Sequence, residues 1–174
     1  MKALFKEKNG DIGIAIISLN IYNNRKNINI YTYNDKGFQT GRINVIQIYT
    51  NEYYIADIYC NSVYRGNGIA SMILKIVEAI IEPESIITGT FVPYQDRTDK
   101  YDVPEYNKLF SIVRGFYISN GYEFYMSKGT IKFKKNITFK EERFTLIDDT
   151  IYDIKLCSND LKQSEELIKK INKR

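Results

Sequence analysis

The sequence contains no histidine, and this absence narrows the chemistry open to the chain. A Ser–His–Asp triad, a histidine-ligated zinc site and a histidine general base are all excluded. Any acid–base step must use Asp, Glu, Tyr, Lys, Cys, a chain terminus or bound water. Only two cysteines are present, Cys60 and Cys157, and their spacing fits neither a metal site nor a disulfide framework. We therefore predict no metal site and a reduced, cytoplasmic protein.

Long apolar runs are missing as well, so no segment of the sequence is suited to crossing a bilayer. The residues after Lys2 lack the apolar core of a secretory signal peptide. A chain of 174 residues, 44% hydrophobic and 26% charged, is long enough to bury the core of one domain. We predict a single domain over residues 1–174 and no membrane partner.

The net charge of +4 is unevenly distributed. The whole excess lies in residues 128–174, and the preceding part of the chain is balanced. Such an excess suits either an anionic partner, nucleic acid included, or a solvated helix face beside a basic edge strand. The second interpretation needs no ligand, and we do not predict nucleic acid as a partner.

Alternating apolar and polar residues dominate the first part of the chain and predict β-strands. Asn9-Gly10 is suited to a tight hairpin, and the run from Asn34 to Gly37 is a second turn signal. The N-terminal half is therefore strand-rich, a meander with strands predicted at residues 2–8, 11–19, 27–33, 41–50 and 53–60.

After Arg65 the apolar residues take the spacing of an amphipathic helix, which Pro83 ends. The stripe of this helix consists of Ile69, Met72, Ile73, Ile76, Val77 and Ile80.

A second helix is predicted to begin near Asp102, which forms a capping pair with Glu105, and to end at Asn120-Gly121. A last helix begins near Ser158. The intervening strands are predicted at residues 85–92, 122–127, 130–135, 143–147 and 150–156. Together, these strands and helices predict an α/β or α+β fold, with a mixed, mostly antiparallel central sheet and flanking helices.

Two glycines stand where the strand at 53–60 meets the first helix. The first amides of a helix have no partners within it, and the helix dipole places partial positive charge there. Glycines let the chain aim these amides at one point, which suits a phosphate or pyrophosphate. The run lacks the Gly-Lys-Ser/Thr of a Walker A loop. Gly66, Gly68 and Ser71 nearly meet the dinucleotide pattern G-x-G-x-x-G, but that pattern normally opens a doubly wound parallel sheet.

The pattern R-x-x-G-x-[GA] is met in full by Arg65, Gly68 and Ala70. The run IYCNSVYRGNGIASMIL (58–74) resembles the acetyl-CoA pyrophosphate loop of the GNAT superfamily of acyl-CoA-dependent N-acyltransferases, with Cys60 in place of the usual valine. FYISNGYEFY (116–125) is similar to a second signature of the family, F-Y-x-x-x-G-F. The resemblance covers residues 53–135 and leaves 136–174 as a C-terminal extension.

The resemblance implies a GNAT-like fold and an N-acetyltransferase that moves an acetyl group from acetyl-CoA to a primary amine by direct attack in a ternary complex. Acetyl-CoA (CoA) is then the cosubstrate, no metal takes part, and the acceptor is a small molecule or a peptide. The sheet would splay after Cys60, with the pantetheine arm on the backbone of residues 58–60 and the pyrophosphate on the amides of residues 66–71. A backbone N–H near Cys60 would stabilise the oxyanion. The implied cofactor-binding residues are Ile58, Cys60, Arg65, Gly66, Asn67, Gly68, Ile69, Ala70 and Ser71.

Two side chains are candidates for the catalytic proton transfers. Tyr117 matches the tyrosine of the family and would protonate the departing thiolate, although its place on an apolar helical stripe also suits core packing. Asp57, or Glu52 in its place, would take the proton of the acceptor ammonium, unless it is only a solvated charge on a strand. Strand alternation puts Asp57 on the same face as Tyr59 and opposite Ile58.

Two departures from the family leave the activity open. The segment 11–50 has no helical stripe, whereas family members commonly have one or two helices there that shape the acceptor pocket. The asparagine found about two turns before the tyrosine is Phe110 here. The alternative is a non-catalytic GNAT-like module that binds acyl-CoA, and a homodimer also remains open. The polar stretch 94–103 either is a solvated loop or lines an acceptor site with its charged residues, Asp96, Arg97, Asp99 and Asp102.

Overall fold

In a computed structural model of the protein, residues 1–91, 103–138, 143–147, 149–153 and 155–171 are described. Within these ranges the chain forms ten β-strands in one sheet, three α-helices and a short 3₁₀ helix, Ser62–Tyr64. The strands are β1 (Lys2–Lys6), β2 (Ile12–Tyr22), β3 (Arg25–Tyr33), β4 (Gln39–Tyr49), β5 (Glu52–Cys60), β6 (Ser85–Thr90), β7 (Glu123–Ser127), β8 (Thr130–Ile137), β9 (Phe144–Ile147) and β10 (Thr150–Asp153). The helices are α1 (Ile69–Ile80), α2 (Val103–Ser119) and α3 (Ser158–Ile171).

The strands lie in the order β7-β8-β6-β5-β4-β3-β2-β1-β10-β9. β1 pairs with β10 and β5 with β6 in parallel, and the other neighbouring strands are antiparallel. The predicted fold class, a mixed and mostly antiparallel sheet with flanking helices, is confirmed. Of the helices in the described ranges, none is long and apolar enough to span a bilayer.

Asparagine and glycine form the tight turns of the meander from β1 to β5. Gly10 and Gly37 have φ angles of 92° and 79°, as the turns predicted there require. The long β2–β3 hairpin turns at Asn23 and Asn24, whose φ angles of 49° and 57° are also left-handed. This turn is not predicted from the sequence. Its signal is the pair of adjacent asparagines, which tolerate this conformation better than most residues.

Helix α1 packs on one face of the sheet, over β3, β4 and β5. Its predicted apolar stripe is confirmed, since the side chains from Ile69 to Val77 that carry it are buried in the core. The left-handed Gly68, with φ 81°, precedes the helix, and the chain becomes extended at Ile81, two residues before Pro83. The first turn of α1 therefore starts directly at the glycine-containing loop.

Strand β5 contains a bulge that opens the sheet. Ile55 pairs with Val45 of β4 and Asp57 with Asn44, so Ala56 is an extra residue in β5. The parallel pairing with β6 ends at Ile55, opposite Gly89. From Ala56 to Cys60, β5 has a strand partner among the described residues on the β4 side alone. The opening thus begins before Cys60, not after it as predicted, because a bulge bends its strand away from the neighbour.

The C-terminal extension joins the sheet at the edge formed by β1. β10 lies parallel to β1 and β9 completes this edge. Helix α3 packs with Leu161, Leu167 and Ile168 against Leu4 and Ile14. Because Ala3, Phe5 and Ala15 belong to the core beneath α1, alternation places α3 on the opposite face of the sheet from α1.

Candidate functional site

The loop before α1 exposes a row of backbone donors. Gly66 and Gly68 both have left-handed φ angles, 88° and 81°, which favour glycine. Within the described part of the chain, the amides from Gly66 to Ser71 donate to no backbone or side-chain acceptor. The first hydrogen bond of the helix is donated by Met72 to the carbonyl of Gly68. The start of α1 can therefore offer several N–H groups and the positive end of the helix dipole to one anion.

Side-chain hydrogen bonds hold this loop against the end of β5. The Asn61 side chain accepts from the amide of Val63, and the Asn61 amide donates to the carbonyl of Thr40. Arg65 folds back so that its Nε donates to the carbonyl of Cys60 at 3.2 Å. Arg65 was predicted as a phosphate ligand. Its guanidinium lies at the loop, but one of its N–H groups is used to close that loop.

The β1–β2 hairpin lies against the same loop. The amide of Lys8 donates to the carbonyl of Asn67 at 3.2 Å. The methylene carbons of Lys8 lie 3.1–3.3 Å from the position that a Cβ at Gly68 would occupy. The sequence predicts the hairpin from Asn9-Gly10 but not where it docks, because that contact joins segments far apart in the chain.

The other predicted residues of the loop take different positions. Ile69 is buried in the core, so its side chain cannot meet a ligand. Ala70 is half-buried. The Ser71 hydroxyl accepts from Nδ2 of Asn120 at 3.1 Å, which ties α1 to the end of α2 and leaves the hydroxyl proton for a second partner. The contribution of Asn120 was not predicted.

The two faces of β5 differ in character beyond the bulge. Ile58 and Cys60 pair with Ile43 and Gly41 and lie on the α1 side, whereas Asp57 and Tyr59 lie on the opposite face, as alternation predicts. Burial raises the pKa of the Cys60 thiol, and the neighbouring Arg65 offsets only part of this effect. Both cysteines are free thiols. A protonated thiol at Cys60 is a poor nucleophile.

Asp57 forms an ion pair across the strands. Nε of Arg42 lies 3.0 Å from Oδ2 of Asp57, and the same guanidinium lies over the ring of Tyr59 at 5.4 Å. The carboxylate remains partly exposed, with 37% of its side-chain surface accessible. Glu52, the alternative base, lies on the paired part of β5, where Thr88 donates to its carboxylate at 3.4 Å. Of the two carboxylates, Asp57 is the one at the open edge.

Tyr117 lies in an aromatic cluster beneath α2. Its ring stacks on Phe133 with centroids 4.0 Å apart and meets Phe91 edge to face at 6.4 Å. The residue is only 4% exposed. Burial raises the pKa of its phenol, and electrostatic contributions from Asp57 and Tyr54 add to the rise. The side chain thus packs in the core, as its apolar stripe predicts, and its phenol stays protonated close to the face of Asp57.

Phe110, which stands where the family has asparagine, joins this cluster edge to face with Phe91 at 4.8 Å. The charged residues of the stretch 94–103, with Asp102 as the predicted cap of α2, lie outside the described residues. Their predicted part in an acceptor site therefore stays a prediction.

A row of amide side chains crosses the sheet on the face of Asp57. Nδ2 of Asn44 donates to Oδ1 of both Asn27 and Asn29 at 2.8 Å. In register, Asn44 is the direct neighbour of Asn29 on one side and of Asp57 on the other. Sequence reasoning missed these residues, although alternate asparagines in the strands are a readable signal of a polar sheet face. The row leads from the meander to the open edge of β5.

No protein-family model matches the sequence, and no curated protein matches it. Among solved structures the chain is similar to an acetyltransferase of the GNAT family from Staphylococcus aureus MU50, with 15% identity, 64% of this chain and 68% of that chain covered, and a TM-score of 0.48. An aminoglycoside 6′-N-acetyltransferase complexed with coenzyme A is 18% identical, with 66% and 76% covered and a TM-score of 0.45. The ribosomal-protein-S18-alanine N-acetyltransferase from Escherichia coli is 10% identical, with 69% and 75% covered and a TM-score of 0.45.

Proposed function

We propose that the protein is an acyl-CoA-dependent N-acyltransferase that moves an acetyl group from acetyl-CoA to a primary amine by direct attack in a ternary complex. The observation that carries this proposal is the row of unpaired amides from Gly66 to Ser71, placed directly beyond the open edge of β5. Such a helix start suits a diphosphate. The open strand edge offers N–H and C=O groups to an amide-containing chain, as pantetheine is.

The order of the two features along the chain supports coenzyme A as the ligand. Pantetheine joins the thiol of coenzyme A to its diphosphate, so a diphosphate at the start of α1 directs the thiol along β5 toward Ala56 and Asp57. Backbone amides at this edge lack strand partners on the β6 side and can donate to a carbonyl oxygen that gains charge. Acetyl-CoA supplies an acyl group that is already activated as a thioester, and the chain has to orient it and move protons.

Tyr117 is the proposed proton donor to the departing thiolate. A phenol is protonated at neutral pH, as a general acid must be before the step, and burial raises its pKa further, which makes it a weaker donor. Its ring is fixed by Phe133 and the neighbouring aromatic rings, so little rotamer freedom is lost when the hydroxyl meets the sulfur. The absence of histidine leaves tyrosine as the suitable acid in this cluster.

Asp57 is the proposed acceptor of the proton from the attacking amine. A primary ammonium is charged at neutral pH and cannot attack until it is deprotonated. The carboxylate of Asp57 is partly exposed at the open edge, and the ion pair with Arg42 orients it. The amine would approach on the face that carries Asn44 and Asp57, where peptide and small-molecule acceptors both find partly exposed hydrogen-bonding groups.

A module that binds acyl-CoA without turnover is the second candidate. Two contacts favour it: Arg42 neutralises Asp57, and the ring of Tyr117 lies deep in the aromatic core. Part of the basic excess that would suit nucleic acid is already paired within the fold, since Lys135 forms an ion pair with Glu78 and Arg143 forms one with Asp153.

A binding measurement followed by a turnover assay separates the enzyme from the non-catalytic module. We expect CoA and acetyl-CoA to raise the melting temperature, since ligand at a hundred times Kd adds about 2.7 kcal/mol to stability. A thiol-release assay over amines, amino acids, peptides and aminoglycosides then distinguishes the two: release that depends on the amine supports the enzyme. Binding with no release over the whole panel supports the module. No thermal shift at millimolar CoA would contradict both.

A further inference from the structure

One face of β3, β4 and β5 is polar and has no described helix packed across it. Helices α1 and α2 pack on the other face, where Tyr117 stacks on Phe133, and α3 makes its core contacts on this face with β1 and β2. Since the three strands bury alternate side chains beneath α1, the side chains between them point to this face. We call it the open face, and its members are Asn27, Asn29 and Tyr31 of β3, Arg42 and Asn44 of β4, and Asp57 and Tyr59 of β5. Each of them is exposed or half-buried.

A row of amides crosses the open face from β5 to β3. Asn44 stands between Asp57 and Asn29 in register, and its Nδ2 donates to Oδ1 of Asn29 at 2.8 Å. Oδ1 of Asn44 accepts no hydrogen bond from the described residues, and Nδ2 of Asn27 donates none to them. A primary amide carries the same N–H donor and C=O acceptor as a peptide group. These groups are therefore complementary to an extended polypeptide.

An aromatic row lies beside the amides. Arg42 stands between Tyr59 and Tyr31 in register, with its guanidinium 5.4 Å from the ring centre of Tyr59. Tyr31 is 37% exposed, and its ring makes no aromatic contact with the described residues. Tyrosine, asparagine and arginine supply much of the contact area and hydrogen bonding of protein-binding surfaces. The composition of the open face is therefore suited to a polypeptide.

The shape and the charge of the open face favour a polypeptide over other acceptors. A sheet face is shallow, whereas small-molecule sites are concave and enclose most of the ligand. The charges of the open face balance, since Arg42 pairs with Asp57 at 3.0 Å. A polyamine or a nucleic acid would find no surplus of opposite charge there. An uncharged polypeptide segment fits this balance.

The acid–base groups at the open edge favour an α-amine over a lysine side chain. A lysine ammonium has a pKa of about 10.4, whereas the α-ammonium of a polypeptide has a pKa of about 7.7–8.0. A far larger share of α-amines is therefore already deprotonated at neutral pH. Asp57 shares its charge with Arg42, and the sequence has no histidine. The suitable acceptor is the amine that needs the least help from a base.

We propose that the acceptor is the N-terminal α-amine of an uncharged polypeptide segment that lies over the open face, with the amine at Asp57 and the next residues on Asn44, Asn29 and Tyr31. This inference rests on the proposed function and names its acceptor. β5 and β3 lie two strand spacings apart, about 10 Å, which an extended chain covers with about three residues.

In the transfer, the α-ammonium first gives a proton to Asp57. Its nitrogen then bonds to the acetyl carbon as the carbon–sulfur bond breaks. The thiolate takes the proton of Tyr117, and the second proton of the nitrogen restores the phenol through water. Asp57 releases its proton to solvent, so one proton leaves for each amide formed.

The test measures thiol release from acetyl-CoA with matched acceptors: alaninamide, an alanine tetrapeptide amide, the same tetrapeptide with a blocked N-terminus and one added lysine, glucosamine and spermidine. We expect kcat/KM for the tetrapeptide to exceed that for alaninamide by about tenfold or more, through a lower KM, because the longer chain reaches Asn29 and Tyr31. The blocked peptide and the two small amines should be poorer acceptors than the tetrapeptide.

Asn29→Ala/Tyr31→Ala should remove this length dependence by raising the KM of the tetrapeptide. Asn20→Ala/Tyr22→Ala changes the same two residue types at the same spacing on β2, one strand farther from Asp57. It is the matched control and should keep the length dependence. Melting temperatures show whether the variants are folded, and the length dependence of the native protein tests the inference without them.

The failures of the two proposals are distinguishable. Release that is as fast with the blocked peptide, glucosamine or spermidine as with the tetrapeptide, or that does not depend on peptide length, would overturn the peptide acceptor and leave the acyltransferase standing. No release with any amine would contradict the acyltransferase. In that case, saturable shifts of the Asn29 and Asn44 side-chain amides when the tetrapeptide is added to ¹⁵N-labelled protein would still support a peptide site on the open face, and their absence would overturn it.

Discussion

The side chain of Lys8 lies across Gly68, with its Cγ 3.1 Å from the point where a Cβ at residue 68 would stand. Since Gly68 also has a φ of 81°, both space and backbone conformation call for glycine at the joint of β5 and α1. The hairpin of β1 and β2 thus limits the shape of the loop that we propose holds the diphosphate.

Gly68→Ala should destabilise the protein and weaken CoA binding. A left-handed φ costs a non-glycine residue about 1–2 kcal/mol, and the new Cβ must displace Lys8 as well. Gly66→Ala has the same φ penalty but meets nothing within 4 Å, so it should cost less stability. Gly129→Ala, with a φ of 74° in the β7–β8 turn, controls for strain away from the site. Thermal unfolding measures the effect on stability, and CoA titration measures the effect on binding. Equal CoA affinity in all three variants would contradict the proposal that this loop holds the diphosphate.

Tyr117→Phe should slow turnover by about a hundredfold or more, because a general acid contributes at least that much. Stability and CoA affinity should change little, since the ring and its stacking on Phe133 remain. Tyr122→Phe is a matched control, because Tyr122 is buried like Tyr117 and meets the same Phe133 ring. Steady-state rates with saturating acetyl-CoA decide the question. Equal rates for Tyr117→Phe and the native protein would remove Tyr117 from the mechanism.

Asp57→Asn should lower kcat/KM by on the order of tenfold to a hundredfold if the carboxylate takes the proton of the amine. Arg42→Gln breaks the same ion pair but keeps the carboxylate, so it should retain activity. Both variants lose one partly exposed pair and should lose no more than about 1 kcal/mol of stability. The signature of a purely structural pair would be two variants with equal, small effects on rate.

Glu7 should make stability depend on pH. Burial, with the charges of Asp11 and Asp35, raises the pKa of this carboxyl from 4.5 to about 7 in the folded protein. The folded state binds the proton more tightly than the unfolded state does. The contribution of Glu7 to the free energy of unfolding is therefore complete below pH 4.5 and is lost as the pH rises through about 7.

Glu7→Gln removes the titrating group and should be more stable than the native protein at pH 8, by on the order of 1 kcal/mol after solvent screening. The two proteins should converge near pH 4. Melting temperatures across this range provide the measurement. Glu165→Gln on the exposed side of α3 should show no such trend. A Glu7→Gln protein that is less stable than the native one at pH 8 would mean that the ionised carboxylate has a partner.

Local sequence patterns predict much of the fold and the position of the glycine-containing loop along the chain. The stripe from Ile69 to Ile80, the turn at Asn9-Gly10 and the glycine joint at Gly66 and Gly68 each depend on neighbours in sequence, and the structure has them where the patterns indicate. Ser158 was likewise predicted as the start of the last helix, and α3 begins there.

Contacts between distant segments are what the sequence does not reveal. The bulge at Ala56 depends on the register of β4, so the sequence places the opening of the sheet five residues too late. The docking of Lys8 on Gly68 joins segments about a third of the chain apart. The pairing of β10 with β1, which brings Arg143 and Lys155 close to Lys8 and Gly68, joins segments separated by most of the chain. No periodicity within a strand or helix encodes such contacts, because they depend on how whole elements pack.

The central claim is tested most directly by following the backbone amides of ¹⁵N-labelled protein while CoA is added. The account predicts that the largest shifts occur at Gly66 to Ser71 and along β5 from Ala56 to Cys60, and that they saturate together. Saturable binding of CoA with these amides unmoved, or no binding at millimolar concentration, would contradict it.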